Sequence, residues 1–210
     1  RAMPLAWPAA ARAYRFTDPS LERRYPGLSL LLDAFAVVDL GVKVAVSRDG
    51  RVPVCHAGCG HCCAQPIPVT PLEVLALHCY ARHRLSQASL AGLVQRMSVY
   101  GGQKRDIVSP CPFLHDGACL VYPVRPVACR QYMVFGTPGA KGEDRSRSRP
   151  QDVLAPSYDH MLAALMRTLP WYAGHEPAPP EHPTEENVRA FFQSITSVIQ
   201  AVAWHRFFRA

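Results

Sequence analysis

Apolar residues recur along this chain mostly at helical spacing. From Pro26 to Val46 they form a dense run that reads as a largely buried helix ended by Asp49-Gly50. Asp39 and Lys43, four apart on its less apolar side, suit an ion pair along the helix. Thr70-Pro71-Leu72-Glu73 is a capping box with proline at the first helical position. The helix it starts sets Leu72, Leu75, Ala76 and Cys79 on one face. Another helix is predicted from about Gln87 to Tyr100, with Leu90, Leu93, Val94 and Met97 on one stripe and Gly101-Gly102 at its end. Tyr158 to Thr168 reads as a short helix. After the proline-rich linker from Pro177 to Pro183, Thr184 caps a long amphipathic helix over 184–209. Its stripe is Val188, Phe191, Phe192, Ile195, Val198, Ile199 and Val202, with Glu185 and Glu186 early and Arg206 and Arg209 late, as the helix dipole prefers. That stripe serves the core or a homodimer face. The pattern predicts a mostly α chain with irregular Cys/Pro-rich loops. It reads as a single domain over 1–210, with a cysteine-bearing core at 50–135.

The composition changes this picture little. Of 210 residues, 49% are hydrophobic and 19% charged, which fits a folded globular chain rather than a disordered one. Twenty prolines argue against a continuous helical bundle. Leu28 to Val46, the most apolar run, is interrupted by Asp33, Asp39 and Lys43, so it is not a membrane span. The N-terminal residues show no clean apolar stretch of a secretory signal, and the chain is expected to be cytoplasmic.

The cysteines carry the chemistry. All eight fall between Cys55 and Cys129. Four lie in Cys55-His-Ala-Gly-Cys59-Gly-His-Cys62-Cys63. A disulfide framework is one reading of an even number. A chain of this size without an export signal does not need bridges, and so dense a cluster suits thiolates converging on a metal. Gly58 and Gly60 permit the positive φ that wraps a loop around a centre. Cys62 and Cys63 are adjacent, and neighbouring side chains diverge. One of them therefore serves a second metal, bridges, or is a reactive or structural thiol. His56 and His61 read as neighbours of the ligands or as exposed side chains rather than as ligands. Cys79, on an apolar helical stripe, reads as a buried small hydrophobe.

The second group runs Cys111-Pro-Phe-Leu-His-Asp-Gly-Ala-Cys119-Leu-Val-Tyr-Pro-Val-Arg125-Pro-Val-Ala-Cys129-Arg130. Asp116-Gly117 is a turn signal that predicts a hairpin between Cys111 and Cys119. Arg125 and Arg130 flank Cys129. They are read either as charge-assisted partners of an anionic sulfur centre or as ordinary surface or carboxylate-paired arginines. Cys55-x3-Cys59-x2-Cys62 has the spacing by which radical S-adenosylmethionine enzymes hold a four-iron cluster. The repeated strand–helix units of those enzymes are missing. The triplet still shows a way to hold three corners of a cluster, with the fourth left to a distant residue such as Cys111 or Cys129.

The cluster ending in Cys62-Cys63, then Cys111-Pro-Phe-Leu, Cys119-Leu-Val-Tyr, Arg125-Pro and Cys129-Arg130, resembles the putative zinc- or iron-chelating domain family of YkgJ type, over about residues 55 to 132. The first spacing here is C-x3-C, where many members have C-x2-C. The resemblance implies metal ligands among Cys55, Cys59, Cys62, Cys63, Cys111, Cys119 and Cys129, holding an iron–sulfur cluster or zinc, and leaves Cys79 outside. The cysteine pattern is also similar to that of the flagellin lysine methylases, which are associated with an iron–sulfur cluster. No glycine-rich strand–helix turn for a methyl-donor cofactor is present. The expectation is a metal-binding protein with a structural, carrier or redox centre. The alternative is a metal-dependent enzyme of redox or methyl-transfer type, although no nucleophile–base pair or carboxylate dyad stands out.

The formal charge of +7, from 20 Arg and 3 Lys, invites a nucleic-acid reading. Seven thiolates would cancel it before any metal charge is added. Arg145-Ser-Arg-Ser-Arg149, after Lys141, has no interleaved aromatics for base stacking and reads as a solvated loop, so nucleic acid is not an expected partner.

Overall fold

The computed structural model describes residues 10–56, 58–99, 110–140, 143–154 and 156–208. It is mostly helical, with three small antiparallel strand pairs. Helix α1 (Pro19–Arg24) leads into α2 (Pro26–Asp49), which Gly50 ends in the left-handed conformation at φ 77°. Helix α2 buries residues on most of its circumference. Leu28, Leu31, Leu32 and Phe35 enter the main core, while Ala34, Val37, Val38 and Val42 build a second cluster with Ala164. Two glycines let helix α7 (Tyr158–Tyr172) approach it. A Cβ on Gly27 would stand 2.2 Å from the Trp171 ring, and one on Gly41 would stand 2.8 Å from His160 Cβ. The expected Asp39–Lys43 pair is replaced by a longer-range one, because Asp39 pairs with Arg130 at 2.9 Å.

Strand β1 (Pro68–Val69) precedes α3 (Pro71–Arg84), whose capping box forms as predicted: Glu73 N–H donates to Thr70 Oγ1, and Thr70 N–H to the Glu73 carboxylate at 2.7 Å. Helix α4 (Gln87–Val99) buries Leu93 and Met97, with Leu90 and Val94 beside them. Its expected Gly101-Gly102 end lies outside the described residues. Strands β2 (Leu114–His115) and β3 (Ala118–Cys119) form the predicted hairpin. Asp116 and Gly117, at φ 49° and 77°, make its two-residue turn. Helix α5 (Val127–Gln131) and strand β4 (Met133–Val134) follow, then the short α6 (Arg145–Ser148) and β5 (Val153–Leu154), which pairs with β4. Helix α7 (Tyr158–Tyr172) runs beyond the expected Thr168 and takes Pro170 into its last turn, where only one N–H is forfeited.

The C-terminal region departs most from expectation. Helix α8 (Glu185–Ile195) starts at Thr184 as predicted but stops after eleven residues instead of reaching 209. Ser194 and Thr196 turn their hydroxyls back to the carbonyls of Phe191 (2.7 Å) and Phe192 (2.6 Å), and Thr196 is extended. The β-branched run that follows becomes β6 (Ser197–Val198), paired with β1. The apolar residues expected on a helical stripe are spent inside the chain. Val188, Phe191, Phe192 and Ile199 are buried in the main core.

Beyond β6, Gln200 is buried and spans the segment after the first cysteine group. Its Nε2 donates to Gln65 O at 2.7 Å, and its Oε1 accepts from Ile67 N–H at 3.3 Å. Trp204 is fully buried, donates its indole N–H to Ile199 O at 2.8 Å, and meets Phe113 edge-on at 4.9 Å between centroids. Trp204→Ala removes a filled volume and one hydrogen bond. It is expected to cost about 3–5 kcal/mol in urea unfolding and to speed hydrogen exchange in the β2–β3 hairpin, which Phe113 precedes.

Candidate metal centre

Four contacts clamp the first cysteine segment onto the second. Val54 N–H donates to Val134 O at 2.8 Å, beside an isolated bridge between Pro53 and Phe135. Val134 N–H in turn donates to Cys55 Sγ at 3.3 Å. At Gly60, a Cβ would lie 2.8 Å from the Leu114 side chain and 3.0 Å from Gly117 O, so the hairpin turn rests directly on the loop. At the far end, Cys111 N–H donates to Cys63 O at 2.7 Å. The glycines act differently from one another. Gly58 takes the positive φ expected of it (91°), whereas Gly60 (φ −103°) is required by close approach.

All eight cysteines are free thiols. The seven of the two groups form one electrostatic neighbourhood. Cys62 acts on Cys55, Cys63, Cys111, Cys119 and Cys129, and Cys59 acts on Cys55. Burial pushes Cys111 up to about 12 and Cys129 well above the ordinary thiol value. Burial also raises Cys55 and Cys119, although amides of Val134 and Val121 at their sulfurs oppose it. Cys62 is pulled down to about 7, chiefly by its hydrogen bond with the Cys63 thiol and also by Arg125, while that same bond pushes Cys63 up. Cys79 stands apart. It is buried in the α3 stripe, burial raises it to about 11, and the charge acting on it is that of Arg24.

Of the two flanking arginines, Arg125 acts on the cysteines. Its charge lowers Cys55, Cys62 and Cys119, and it stacks over the Tyr122 ring at 4.1 Å. Arg130 takes the carboxylate-paired role. It is buried, pairs with Asp39, donates to the carbonyls of Arg125 and Pro123, and lies over the Phe35 ring at 4.0 Å, which ties α5 to α2. Its partner is 91 residues away, beyond the reach of a local reading.

Two residues near the cysteines escaped the sequence reading. Arg145, placed there in a solvated loop, is 2% exposed and joins Arg149 in pairing with Glu143 and Asp152. With Glu143 it walls a small cavity lined by Cys55, Cys59, His61 and Cys62. The alternation of Glu143, Asp144, Arg145, Arg149 and Asp152 was the available signal. Glu73 is the other. Its capping box is local, but its second oxygen accepts Val127 N–H at 2.8 Å, at the start of the helix that carries Cys129. Burial raises its pKa.

Among the described residues, no three Cys, His, Asp or Glu side chains are already drawn into a metal-holding arrangement. The donor set nevertheless fits a thiophilic metal. Thiols withdrawn from water cannot ionise cheaply on their own, and a bound cation supplies the missing charge. Residues 54–150 match the family model CxxCxxCC, described as a putative zinc- or iron-chelating domain. No curated protein and no solved structure matches the chain. Zinc or iron chelation is thus the family-level property of the segment that the two cysteine groups share.

The cavity wall has a pH limit. Glu143 is held down at about 2, first by the Ser148 hydroxyl, then by the Ala140 amide and Arg149. A depressed carboxylate lends stability above its unfolded value and loses it as pH falls through the folded one. Hydrogen-exchange protection in 143–152, taken relative to the intrinsic rate at each pH, is expected to hold above about pH 4.5 and to fall as pH drops toward 2. In Glu143→Gln protection should be low throughout.

Proposed function

We propose that this chain is a cysteine-cluster metal protein whose ligands are Cys55, Cys59, Cys62, Cys63, Cys111, Cys119 and Cys129. The observation that carries this reading is the direct Cys63–Cys111 backbone bond, which joins the two cysteine groups in one desolvated neighbourhood. As thiolates these residues suit zinc and iron alike. We favour an iron–sulfur centre, because Cys55, Cys59 and Cys62 have the spacing that holds three corners of a cluster. Amide N–H groups already directed at Cys55, Cys111 and Cys119 are the kind that tune such clusters. Arg125 supplies compensating positive charge. The role is structural or carrier-like, in a reducing cytoplasmic compartment where thiols stay free. No helix among the described residues is long and apolar enough to cross a membrane.

One feature favours the enzyme reading. A cavity of about 390 Å³ is lined by Val127 and Ala128 of the helix that carries Cys129, together with Leu31, Met161, Leu165 and Glu73. A small apolar substrate held there would lie one helix from the centre. Metal-loaded protein that turned over no such molecule would leave the binding role in place.

The decisive experiment is anaerobic purification with analysis of metal and acid-labile sulfide and a visible spectrum. Iron, acid-labile sulfide and a coloured protein with visible absorption are expected. A colourless protein with zinc and no sulfide, even when made with iron and without oxygen, would assign zinc instead. Cys62→Ser and Cys129→Ser should each lower the metal-to-protein ratio, and Cys129→Ser should lower thermal stability with it, because ligand binding energy is folding energy. Cys79→Ala should leave the ratio unchanged. An unchanged ratio in both ligand variants would sink the proposal.

A further inference from the structure

The adjacent pair Cys62-Cys63 lies where two environments meet. Both residues sit in the single 3-10 turn His61–Ala64. Cys63 packs against the main hydrophobic core, as do Cys111, Cys119 and Cys129. Cys55, Cys59 and Cys62 are not part of that core. They line the small cavity of about 30 Å³ instead, beside His61 and walled by Glu143 and Arg145. The hydrogen bonds draw the same line. Cys63 O accepts from Cys111 N–H, whereas Val54 N–H and Cys55 Sγ bond to Val134 of β4, which follows the Cys129 helix in the chain.

We propose that the seven cysteines form two metal sites rather than one: an inner, closed site of Cys63, Cys111, Cys119 and Cys129, and an outer site of Cys55, Cys59 and Cys62 that opens to the cavity. This division rests on the metal-binding reading above and deepens it. Four thiolates complete a tetrahedral ion and leave no room for an added ligand, the arrangement of structural sites. Three thiolates leave one position for an exchangeable ligand, the arrangement from which a metal can be handed on or can act. The cavity is about the size of one water molecule, which suits such a ligand. Adjacency then has a reason. One turn of chain supplies a ligand to each site, and the Cys62–Cys63 thiol contact is where they touch. The inner site holds the fold closed, and the outer one carries the exchangeable metal.

The test uses the full chain, made in zinc-supplemented medium and isolated under reductant, with zinc counted per chain and its release to a chromophoric chelator followed in time. Two zinc ions are expected, one leaving at least roughly ten-fold faster than the other, because an open site admits the chelator and a closed one does not. Cys55→Ser and Cys59→Ser should each cut the content to one and abolish the fast phase, with the unfolding temperature little changed. Cys129→Ser puts folding itself at risk, so the two outer variants and the release kinetics decide the matter. One zinc per wild-type chain, release in a single phase, loss of both ions in Cys59→Ser, or two ions retained in both outer variants would each overturn the division. Wild-type protein without any bound metal would instead overturn the metal reading itself.

Discussion

The hydrogen bond from Cys111 N–H to Cys63 O is the constraint on which the cysteine region depends. It closes a loop of roughly 50 residues, and closure of that length is entropically unfavourable by several kcal/mol before any contact rewards it. The reward comes from packing. Helices α3 and α4 within the loop bury Leu72, Leu77, Leu93 and Met97. The C-terminal segment then holds both ends. Gln200 bonds to Gln65, two residues after Cys63, and Trp204 packs on Phe113, two residues after Cys111. A region without cysteines therefore sets the spacing of those that have them.

Buried ions and hydrogen bonds do the same work from the other side. Glu73 accepts the first amide of the α5 helix, Arg130 fastens that helix to Asp39, and Arg145 ties the segment after β4 to Glu143 and Asp152. The first two link the α5 helix to distant parts of the chain, and the third knits residues 143–152 to one another. Removing one partner of such a pair strands a buried charge, which costs far more than the pair contributes. The thiols have no comparable partners. Burial raises five of the seven and the others share a neighbourhood with them, so the protein without metal holds unusually costly potential charges. A bound cation relieves that cost at one stroke, whereas an apolar core could not.

Features specified within a few residues were legible in the chain. The capping box at Thr70, the cap at Thr184, the Gly50 stop and the Asp116-Gly117 turn all form, because each is complete within one turn of backbone. Cys79 was separable from the other seven by its helical stripe alone. The periodicity of Val188 to Val202 continues through Thr196, yet the helix does not, since pairing with Pro68–Val69 and the hydroxyls of Ser194 and Thr196 outweigh a local preference. Arg130 was left between two readings because its partner, Asp39, comes from elsewhere in the fold, whereas Arg145 was misread although Glu143 and Asp152 lie close to it in the chain. A residue type announces what it can bond, and only the tertiary structure says to whom.

The same point bears on the net charge of +7. A basic chain ordinarily invites a polyanion, but many of these arginines already have internal duties. Arg12 bridges Glu22 and Asp33, Arg51 pairs with Asp49, Arg130 with Asp39, and Arg145 and Arg149 share Glu143 and Asp152. Arginine is the side chain suited to that use, since its planar fork reaches two acceptors and its charge persists when buried. Arg125 is spent differently, on thiols that become anions only when a metal takes them. None of these pairings carries net positive charge, so the excess of +7 stays in place and is carried by other basic side chains, among them Arg125 beside the cysteines.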